Sequence, residues 1–576
     1  MSMHVTSNST GKSAKELMMT RKSQLDDDRR TYRNHWRDIK DNMIPDHGFY
    51  LTDESDKDVY DGERRARLDI IDDTAEKAVQ VMAAGLQSGN TSPASPWFKV
   101  GLADKDLQEF HSAKVWLDDV TAILHGLFHR TLYNSTYHTY MELGTFGTGA
   151  FMLLDDKVET MRTRSLTVGE YSIGLNNALR VDTIVRDFWM TARQMVQEFG
   201  LQNVSVACQK AWQSGAYIQR FRVVNFIEPN DGEIKGMLGR IAEDGRLVPS
   251  EFRSVYMEVS SDDNKGDNFL RVQPYRTFPV AAPRWHVVAN KTYGVSPGMV
   301  ELGNIQMLNK LQEMDLEAIE KVNAPPLMSS SDSHFINPLP DGISYLEDVT
   351  GLKDNLAPLY QINPDIAATS NKIERVQQAI REGFYNNLFL MFAQEGKQMT
   401  ATEVIERQGE KMIMLGPVIE RLNPEMNDII VERGFDLALR NDMLPPPPED
   451  IAGAEIDIEY TGMLAQAQRA LGSRKITQYV QHAGMLAEIV GPQVLDGVNA
   501  DKALSKFGED IGIPAEVAQA PETIEMIRAQ RQQAAQVQQA AEAAMNVADT
   551  AKTMSETGLD QNSALDAMTG RPEAGA

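Results

Sequence analysis

The sequence predicts an α+β protein, in which a mixed half of helices and strands precedes a half built from long helices. Its 576 residues, 42% of them apolar, can bury a large core, and this length favours several domains. Between about residues 150 and 288, short stretches alternate apolar and polar side chains with the period of a strand. From residue 297 onward, apolar residues recur with the period of a helix over much longer stretches.

The balance of charge restricts how this chain meets nucleic acid. Its formal net charge is -25 and its pI is near 4.9. These values argue against gripping DNA by phosphate neutralisation, because that mode needs clustered Lys and Arg. An acidic wall would repel phosphates and so confine DNA without binding it. A solvated acidic surface with no functional meaning explains the same charge, and composition does not separate the two.

The cysteine content and the hydropathy limit the disulfides, metal sites and membrane segments that this protein can have. The single cysteine, Cys208, excludes an intramolecular disulfide and a multi-cysteine metal site, so we expect it to pack in the core. Residues 1–11 are polar, and no apolar run approaches the roughly 18 residues of a membrane span. We therefore expect synthesis and folding in the cytosol and no contact with a membrane.

The first quarter of the chain predicts helices separated by polar loops. Residues 12–44 have the pattern of a helix that ends at Pro45, and residues 68–86 that of a second helix. The second helix is expected to stop at residues 88–96, where Gly, Ser and Pro interrupt the backbone.

Two histidines in the next helical stretch have a spacing that suits a metal. His125 and His129 lie four residues apart, but the Glu that a zinc-protease helix carries beside its first His is missing. His111 and His138 are the nearest third ligands. Ordinary packing or polar contacts are therefore favoured over a metal site.

The block Glu142–Gly149 is rich in glycine, so we asked whether it could form a phosphate-binding loop. No Gly-Lys-Ser/Thr follows it at the required spacing, and Gly11-Lys12-Ser13 lacks the glycine five residues earlier. The sequence therefore predicts no ATP site. We interpret Gly147-Thr148-Gly149 as the turn into a strand at residues 150–154.

The middle of the chain predicts a sheet. Val255, Met257 and Val259 alternate with polar neighbours, which is the period of a half-buried strand. Further predicted elements are strands at residues 179–189, 221–227 and 269–278 and a short helix at 191–199.

Two long helices then flank an insert. Ser296 is the predicted N-cap of the first helix and Pro297 its first residue, where the missing N–H costs nothing. This helix is expected to run to Val322, and the second to run from Asn363 to Met391. The insert between them is rich in Ser, Pro, Gly and Asp, with a strand at residues 343–346.

A kinked helix follows from residue 400. Thr400 and Glu403 are predicted to form a capping box. The Thr400 side chain accepts from the Glu403 backbone N–H, and the Glu403 side chain accepts from the Thr400 backbone N–H. Gly416-Pro417 and Asn423-Pro424 lie inside the helix, and an interior proline removes a hydrogen bond and clashes with the preceding turn. We therefore expect the helix to bend.

The C-terminal part is predicted to be a strand followed by helices. A strand at residues 454–460 follows a stiff run of four prolines. Residues 521–554 form an Ala/Gln-rich helix with high propensity and little apolar face, which predicts either bundling with copies of itself or loose order. The last twenty residues have a disordered composition. Shorter helices are expected at residues 465–471, 476–489 and 501–507.

Several blocks of this sequence, in the right order, resemble the head-to-tail connecting proteins, the portal proteins of short-tailed bacteriophages. The resemblance covers roughly residues 15 to 460. The blocks that carry it are Met399–Val404 with Arg407 and Glu410, Leu415-Gly416-Pro417, Arg421-Leu422, Arg433, Gly85-Leu86, Ser92-Pro93, Pro96-Trp97-Phe98, Trp116-Leu117, Glu142–Gly149, Tyr293-Gly294, Ser296-Pro297, Leu308-Asn309-Lys310 and Pro325-Pro326-Leu327.

The resemblance implies a portal fold with a mixed α/β wing, a long-helix stem, a small α/β clip, a helical crown and a C-terminal helical barrel. The implied domains are the wing 1–290, first stem helix 291–323, clip 324–362, second stem helix 363–392, tunnel loop 393–399, kinked helix and wing/crown link 400–460, crown 461–520, and barrel helix with disordered tail 521–576.

The resemblance also implies a function without catalysis and without a cofactor. Portal proteins form a ring, of twelve subunits in mature particles, at one vertex of the virion capsid. The ring conducts double-stranded DNA during packaging and ejection. The implied partners are the terminase motor, the tail and adaptor proteins, the major capsid and scaffolding proteins, and internal core or ejection proteins at the crown.

Three groups of residues are the predicted sites. The implied channel contacts come from the tunnel loop, and Lys397 is the cation in that loop. The clip is expected to dock motor and tail, and the kinked helix to be shaped by its cap and its proline. The residues are Gln394, Lys397 and Gln398 in the loop, Ser329, Ser330, Ser331 and Asp332 in the clip, and Thr400, Glu403, Gly416 and Pro417 in the helix.

Two other classes of function compete with this interpretation. A packaging ATPase or nuclease would need a Walker loop or a carboxylate cluster on strand ends, and neither is evident in the sequence. A helical scaffold or adaptor of the virion without a channel fits the composition, but it explains the ordered motif blocks poorly.

Overall fold

The computed structural model describes the chain in segments that cover most of the predicted elements. Within them the α+β class is confirmed, since long helices surround small, mostly antiparallel sheets. None of the described helices is long and apolar enough to cross a membrane. The described residues are 14–51, 69–108, 110–230, 239–241, 247–259, 269–325, 327–330, 337, 339, 342–346, 357–358, 366–393, 415–451, 453–462, 482–486, 491, 493, 498 and 521–556.

The first half alternates helices with strands. Its helices are α1 (Ala14–Asn42), α2 (Thr74–Asn90), α3 (Lys105–Gln108), α4 (His111–Thr131), α5 (Tyr133–Phe146), α6 (Ala192–Phe199) and α7 (Val206–Gln213). Its strands are β1 (Phe98–Leu102), β2 (Ala150–Asp156), β3 (Thr160–Leu166), β4 (Tyr171–Leu175), β5 (Val181–Thr191), β6 (Arg220–Pro229), β7 (Gly239–Ile241), β8 (Leu247–Pro249), β9 (Phe252–Glu258), β10 (Arg271–Tyr275) and β11 (Val280–Ala281).

The largest sheet has five antiparallel strands in the order β10-β9-β6-β5-β4, and a second sheet has the order β11-β2-β3. The prediction that the strand around Val255 is half-buried was wrong. Both faces of β9 are buried, because Val255 and Met257 pack against Met18 of α1 while Tyr256 joins the cluster around Cys208. Its polar Ser254 is buried too, and donates to Asn225 Oδ1 over 3.0 Å.

Helix α2 begins later and ends later than its sequence pattern predicts. It starts at Thr74 because the Asp72 carboxylate accepts the Thr74 N–H over 2.8 Å, which satisfies a free donor of the first turn. It continues through Gly89 to Asn90, which was predicted to be loop. Asn90 is buried there and donates to the Tyr140 hydroxyl over 3.0 Å, so a tertiary contact holds the last turn.

The long helical hairpin is present, and its first helix has nearly the predicted bounds. Helix α8 spans Pro297–Asn323. The second helix was predicted to be continuous and is not, since the chain forms α9 (Ile366–Gly383) and α10 (Asn386–Ala393). Tyr385 lies between them with a left-handed φ of 57°.

Close packing on both sides of Tyr385 explains the interruption. A Cβ at Gly383 would lie 2.5 Å from Glu301 of α8, and a Cβ at Gly85 of α2 would lie 2.1 Å from the Phe389 ring. The break turns α10 so that Phe389 sits against α2.

The insert of the hairpin contains three described strands. They are β12 (Leu327–Ser330), β13 (Ile343–Leu346) and β14 (Ala357–Pro358), in the order β13-β12-β14. Strand β12 pairs in parallel with β13 and antiparallel with β14. The predicted strand at residues 343–346 is therefore confirmed.

Helix α11 covers residues 415–422, and a π-helical turn at Asn423–Asn427 follows it before α12 (Asp428–Arg440). This turn falls at Asn423-Pro424, where the sequence predicted a disturbance of the helix. A π turn accommodates a missing proline N–H by shifting the hydrogen-bond register. The remaining strand, β15 (Ile456–Tyr460), pairs with β1, and α13 spans Pro521–Glu556.

A buried ion pair joins the π turn to the chain that precedes α8. The Glu425 carboxylate accepts from the Arg284 guanidinium at 2.5 Å and from the Arg284 backbone N–H at 2.9 Å. The same guanidinium donates to the carbonyl oxygens of Leu179 and Thr292. The Arg284 and Glu425 side chains are 1% and 6% exposed, so the Arg284 charge depends on Glu425 for compensation, while Glu425 also lies 3.5 Å from Arg421 Nη1.

We expect Glu425→Ala to lower the free energy of unfolding by about 3–5 kcal/mol, because it leaves the Arg284 charge buried without its partner. Chemical denaturation measures this loss. The control is Glu313→Ala, which breaks the exposed pair with Lys310 and is expected to change stability little. Equal losses from the two variants would contradict the role of the buried pair.

Candidate functional site

The base of the hairpin is built where two glycine-containing blocks of the sequence meet. Gly147 follows α5 and Gly294 precedes α8. A Cβ on either glycine would lie 2.3 Å from the carbonyl oxygen of the other. The two backbones therefore approach more closely than any side chain permits. Gly147 also has a φ of 79°, the left-handed conformation of a helix C-cap.

Hydrogen bonds fix this approach. Gly147 O accepts from Trp285 N–H over 3.0 Å, and Gly149 N–H donates to Pro283 O over 3.2 Å. Gly294 N–H donates to the Thr148 hydroxyl over 3.2 Å. The glycines of this block thus serve backbone packing, and the prediction that they turn into a strand at residue 150 is confirmed.

The start of α8 is locked to the end of α5. The Ser296 hydroxyl accepts from Met299 N–H over 3.1 Å, as the predicted N-cap, and donates to Thr145 O over 2.6 Å. Trp36 of α1 donates its indole N–H to Phe146 O over 3.0 Å. Two carbonyls at the end of α5, which have no partner within their helix, are satisfied in this way.

One carboxylate ties the two helices of the hairpin together. Asp72 Oδ2 accepts from Gln312 of α8 over 3.1 Å and from Gln377 of α9 over 2.7 Å. The Asp72 backbone N–H donates to Asn309 of α8 over 3.2 Å. We name this set the Asp72 clamp. It holds the hairpin to the start of α2.

The hydrogen bonds of the clamp shift the pKa of Asp72. Burial alone would raise the pKa of the Asp72 carboxyl, but hydrogen bonds from Thr74, Gln377 and Gln312 outweigh it and lower the pKa below the ordinary 3.8. The folded protein therefore favours the ionised form of the Asp72 carboxyl group.

An exposed apolar stripe runs along α8. Val300, Met307 and Met314 follow at intervals of seven residues and are 71%, 38% and 55% exposed. Residues seven apart lie on the same face of a helix, so the three side chains form one seam. The buried Ile305 and Leu308 lie on another face, against the core.

The predicted site residues are only partly described. Ser329 and Ser330 lie in β12, where their backbones pair with Tyr345 and Leu346 of β13. Gly416 and Pro417 lie in the helix at residues 415–422. The other predicted residues lie outside the described part of the chain. They are Gln394, Lys397 and Gln398 of the loop, Ser331 and Asp332 of the clip, and the capping pair Thr400 and Glu403.

The two histidines considered for a metal make ordinary contacts. His125 lies 3.2 Å from Phe98 O through Nε2 and packs on the Phe98 ring, while His129 lies edge-on to Tyr133. Cys208 is buried, as predicted, and burial raises the pKa of its thiol to about 11. These residues therefore have packing roles.

Sequence reasoning missed one cluster. His47, His138 and Glu142 bring their ligand atoms within 4.8 Å of one another, and they are the metal-capable group of three found in the described part of the chain. The signal was present, because His138 and Glu142 are four apart on α5 and so share a face. The contribution of His47, from a loop 91 positions before His138, had no local signal.

The chain belongs to the bacteriophage head to tail connecting protein family, whose sequence model matches residues 15–518. It is 35% identical over 559 residues to the portal protein of Salmonella phage epsilon15, covering 96% of this chain and 98% of that protein. It is 34% identical over 559 residues to the probable portal protein of Bordetella phage BPP-1, covering 96% and 97%. The resemblance in the motif blocks is thereby confirmed.

The Asp72 clamp predicts a specific dependence of stability on pH. Because the pKa of Asp72 is lowered on folding, its contribution is present at neutral pH and is lost as the pH falls through that lowered value. Asp72→Asn should therefore destabilise the protein at pH 7, and the difference from wild type should shrink as the pH falls below the ordinary carboxyl pKa of 3.8.

Unfolding midpoints of the two proteins across this range test the prediction. The control is Asp73→Asn, since Asp73 and its partner Lys77 are 63% and 69% exposed. A wild-type advantage over Asp72→Asn that is unchanged in acid would refute the charged clamp.

Proposed function

We propose that this protein is the portal of a short-tailed phage, a ring at one capsid vertex through which double-stranded DNA enters and leaves the head. The observation that carries the proposal is the family match over residues 15–518, which includes the wing, the hairpin and the kinked helix. The portal protein of phage epsilon15 aligns over 98% of its own length, so no large part of that protein lacks a counterpart here.

In this proposal the hairpin of α8 with α9 and α10 is the stem, and residues 1–290 are the wing. The insert at residues 324–362 is the clip that meets motor and tail. Residues 393–399 are the tunnel loop and residues 461–520 are the crown. Helix α13 is the barrel helix. The three-stranded clip sheet supports this division, because it sits between the two stem helices in sequence.

Two exposed surfaces favour self-association. The stripe Val300, Met307 and Met314 gives each stem an apolar seam that the described part of the chain leaves exposed. Along α13, Met526, Val537 and Met545 are 62%, 69% and 71% exposed. A helix of this length with exposed apolar residues is stabilised when copies pack side by side. Both features suit a ring of identical subunits.

We propose the partners that the family resemblance implies. The clip meets the terminase during packaging and the tail or adaptor proteins afterwards, the wing meets the major capsid and scaffolding proteins, and the crown meets internal core or ejection proteins. The role is structural, without catalysis. The protein is made in the host cytoplasm and ends at a unique vertex of the virion.

We expect Met307→Glu to break the ring. The substitution places a carboxylate at every stem contact, where burial without a partner is unfavourable and neighbouring copies repel. Size-exclusion chromatography with light scattering should show a shift from large assemblies toward single chains.

The matched control for Met307→Glu is Gln306→Glu. It adds the same charge at the adjacent exposed position, about 100° around the helix and away from the stripe. We expect Gln306→Glu to assemble as wild type does. If Met307→Glu assembles equally well, the stripe is not a subunit contact.

The tunnel loop generates a prediction about DNA. With -25 per chain, a ring of twelve carries roughly -300, so its wall mostly repels DNA. A ring of Lys397 side chains then makes brief, exchangeable phosphate contacts at the narrowest point. Lys397→Glu should leave ring formation intact and reduce genome retention, more strongly at low salt because such contacts are screened.

The control for Lys397→Glu is Lys157→Glu, which makes the same change in the exposed turn between β2 and β3 of the wing. Packaged DNA per particle is measured for both variants at low and high salt. Full retention by Lys397→Glu particles under both conditions would remove this lysine from the mechanism.

A further inference from the structure

Three side chains with metal-binding atoms meet where the chain after α1 crosses α5. His47 lies just beyond the end of α1, and His138 and Glu142 lie one turn apart on α5. His47 Nδ1 is 3.4 Å from Glu142 Oε1, and His138 Nε2 is 4.0 Å from the same oxygen. The two imidazole rings have their centroids 4.7 Å apart.

The carboxylate of this cluster is held in place from behind. Glu142 is fully buried, at 0% exposure, and its Oε2 accepts the Val168 backbone N–H over 3.2 Å. Oε1 is thereby turned toward the two histidines. Ligating carboxylates in metal sites are commonly fixed by such a second hydrogen bond.

The ion-pair partners of Glu142 in the described part of the chain are the two histidines. A fully buried carboxylate needs a compensating charge or a full set of hydrogen bonds. Of the two imidazoles, His47 makes one long hydrogen bond to Oε1 at 3.4 Å, and His138, at 4.0 Å, lies beyond hydrogen-bond distance. A cation between the three groups supplies that charge.

The separations suit a tetrahedral metal. Zinc binds His nitrogen and carboxylate oxygen at about 2.0–2.2 Å, so two ligand atoms of a tetrahedral site lie roughly 3.3–3.6 Å apart. The distance from His47 to Glu142 already has this value, the distance from His138 to Glu142 is 4.0 Å, and the ligand atoms of the two histidines lie within 4.8 Å of each other. Rotations of the histidine rings, of which His138 is 32% exposed, are needed to bring all three atoms to the zinc distances.

The site is also open on one side. The His47 and His138 side chains are 17% and 32% exposed, whereas Glu142 is at the bottom. Within the described part of the chain, an ion can therefore reach both imidazoles from solvent. Two histidines and a glutamate with an open position form a ligand set that zinc uses in proteins.

We propose that His47, His138 and Glu142 bind a divalent zinc ion. The metal joins the loop after α1 to α5, in the same helix whose C-terminal end positions α8. It acts as a structural tie between the N-terminal helix and the base of the hairpin. This role does not depend on the proposed function, because it requires only the single chain.

The experiment uses the full chain, purified without a histidine tag and stripped with a chelator. After one equivalent of Zn²⁺ is added and free metal is removed, elemental analysis should find about one zinc per chain in wild type. His138→Gln and His47→Gln should bind at least about 100-fold more weakly, because loss of a group that only supports a ligand already costs 10–100-fold. His129→Gln, on the neighbouring helix α4, is the control and should bind as wild type does.

Two readouts keep the test decisive. Zinc should raise the unfolding midpoint of wild type and of His129→Gln, but not that of His138→Gln. Co²⁺ bound to wild type should show the visible absorption of a tetrahedral site, which needs no variant to fold. Wild-type protein that retains no zinc, gives only the spectrum of hydrated Co²⁺, or loses nothing on substitution of His47 and His138 would overturn the proposal.

Discussion

The close approach of two backbones at Gly147 and Gly294 is the constraint on which the placement of the helical hairpin depends. With no Cβ on either residue, the end of α5 reaches the start of α8, and Ser296 then bonds both its own helix and Thr145 O. The carbonyl of Gly147 accepts from Trp285, next to the buried Arg284 that reaches the kinked helix through Glu425. Three segments that are distant in sequence are thereby held at one point.

Much of this architecture was predictable because its signals are local. Ser296-Pro297 marks the start of α8 by capping chemistry, and the run from Pro297 to Val322 keeps a helical period, so its observed end at Asn323 differs by one residue. Thr191 likewise begins α6 with a capping box that its neighbours encode. Asn423-Pro424 predicted a disturbed helix, and a π turn is found there. In each case the determining atoms lie within a turn or two of the residue concerned.

The features that escaped prediction depend on distant partners. Val255 and its neighbours alternate like a half-buried strand, yet α1 covers one face and α7 the other, which no pattern within β9 reveals. The interruption at Tyr385 follows from contacts of Gly383 and Phe389 with other helices. Among the predicted site residues, Gly416 and Pro417 have a described place, and Ser329 and Ser330 have described backbone pairing. The roles of all of them, with those of Lys397, Thr400 and Glu403, stay predictions. The cluster of His47 with Glu142 could be found only in the folded structure, because the two residues are distant in sequence.

A ring of such chains reconciles an acidic protein with a role in DNA transport, because confinement by repulsion needs no affinity. The central claim is assembly, since a channel exists only between subunits. Negative-stain imaging of the purified full-length protein, with its mass measured in solution, tests this claim most directly. The account predicts rings with a central hole and a mass that is a large multiple of 64.2 kDa. Single 64.2 kDa chains as the only species at every salt concentration would contradict it.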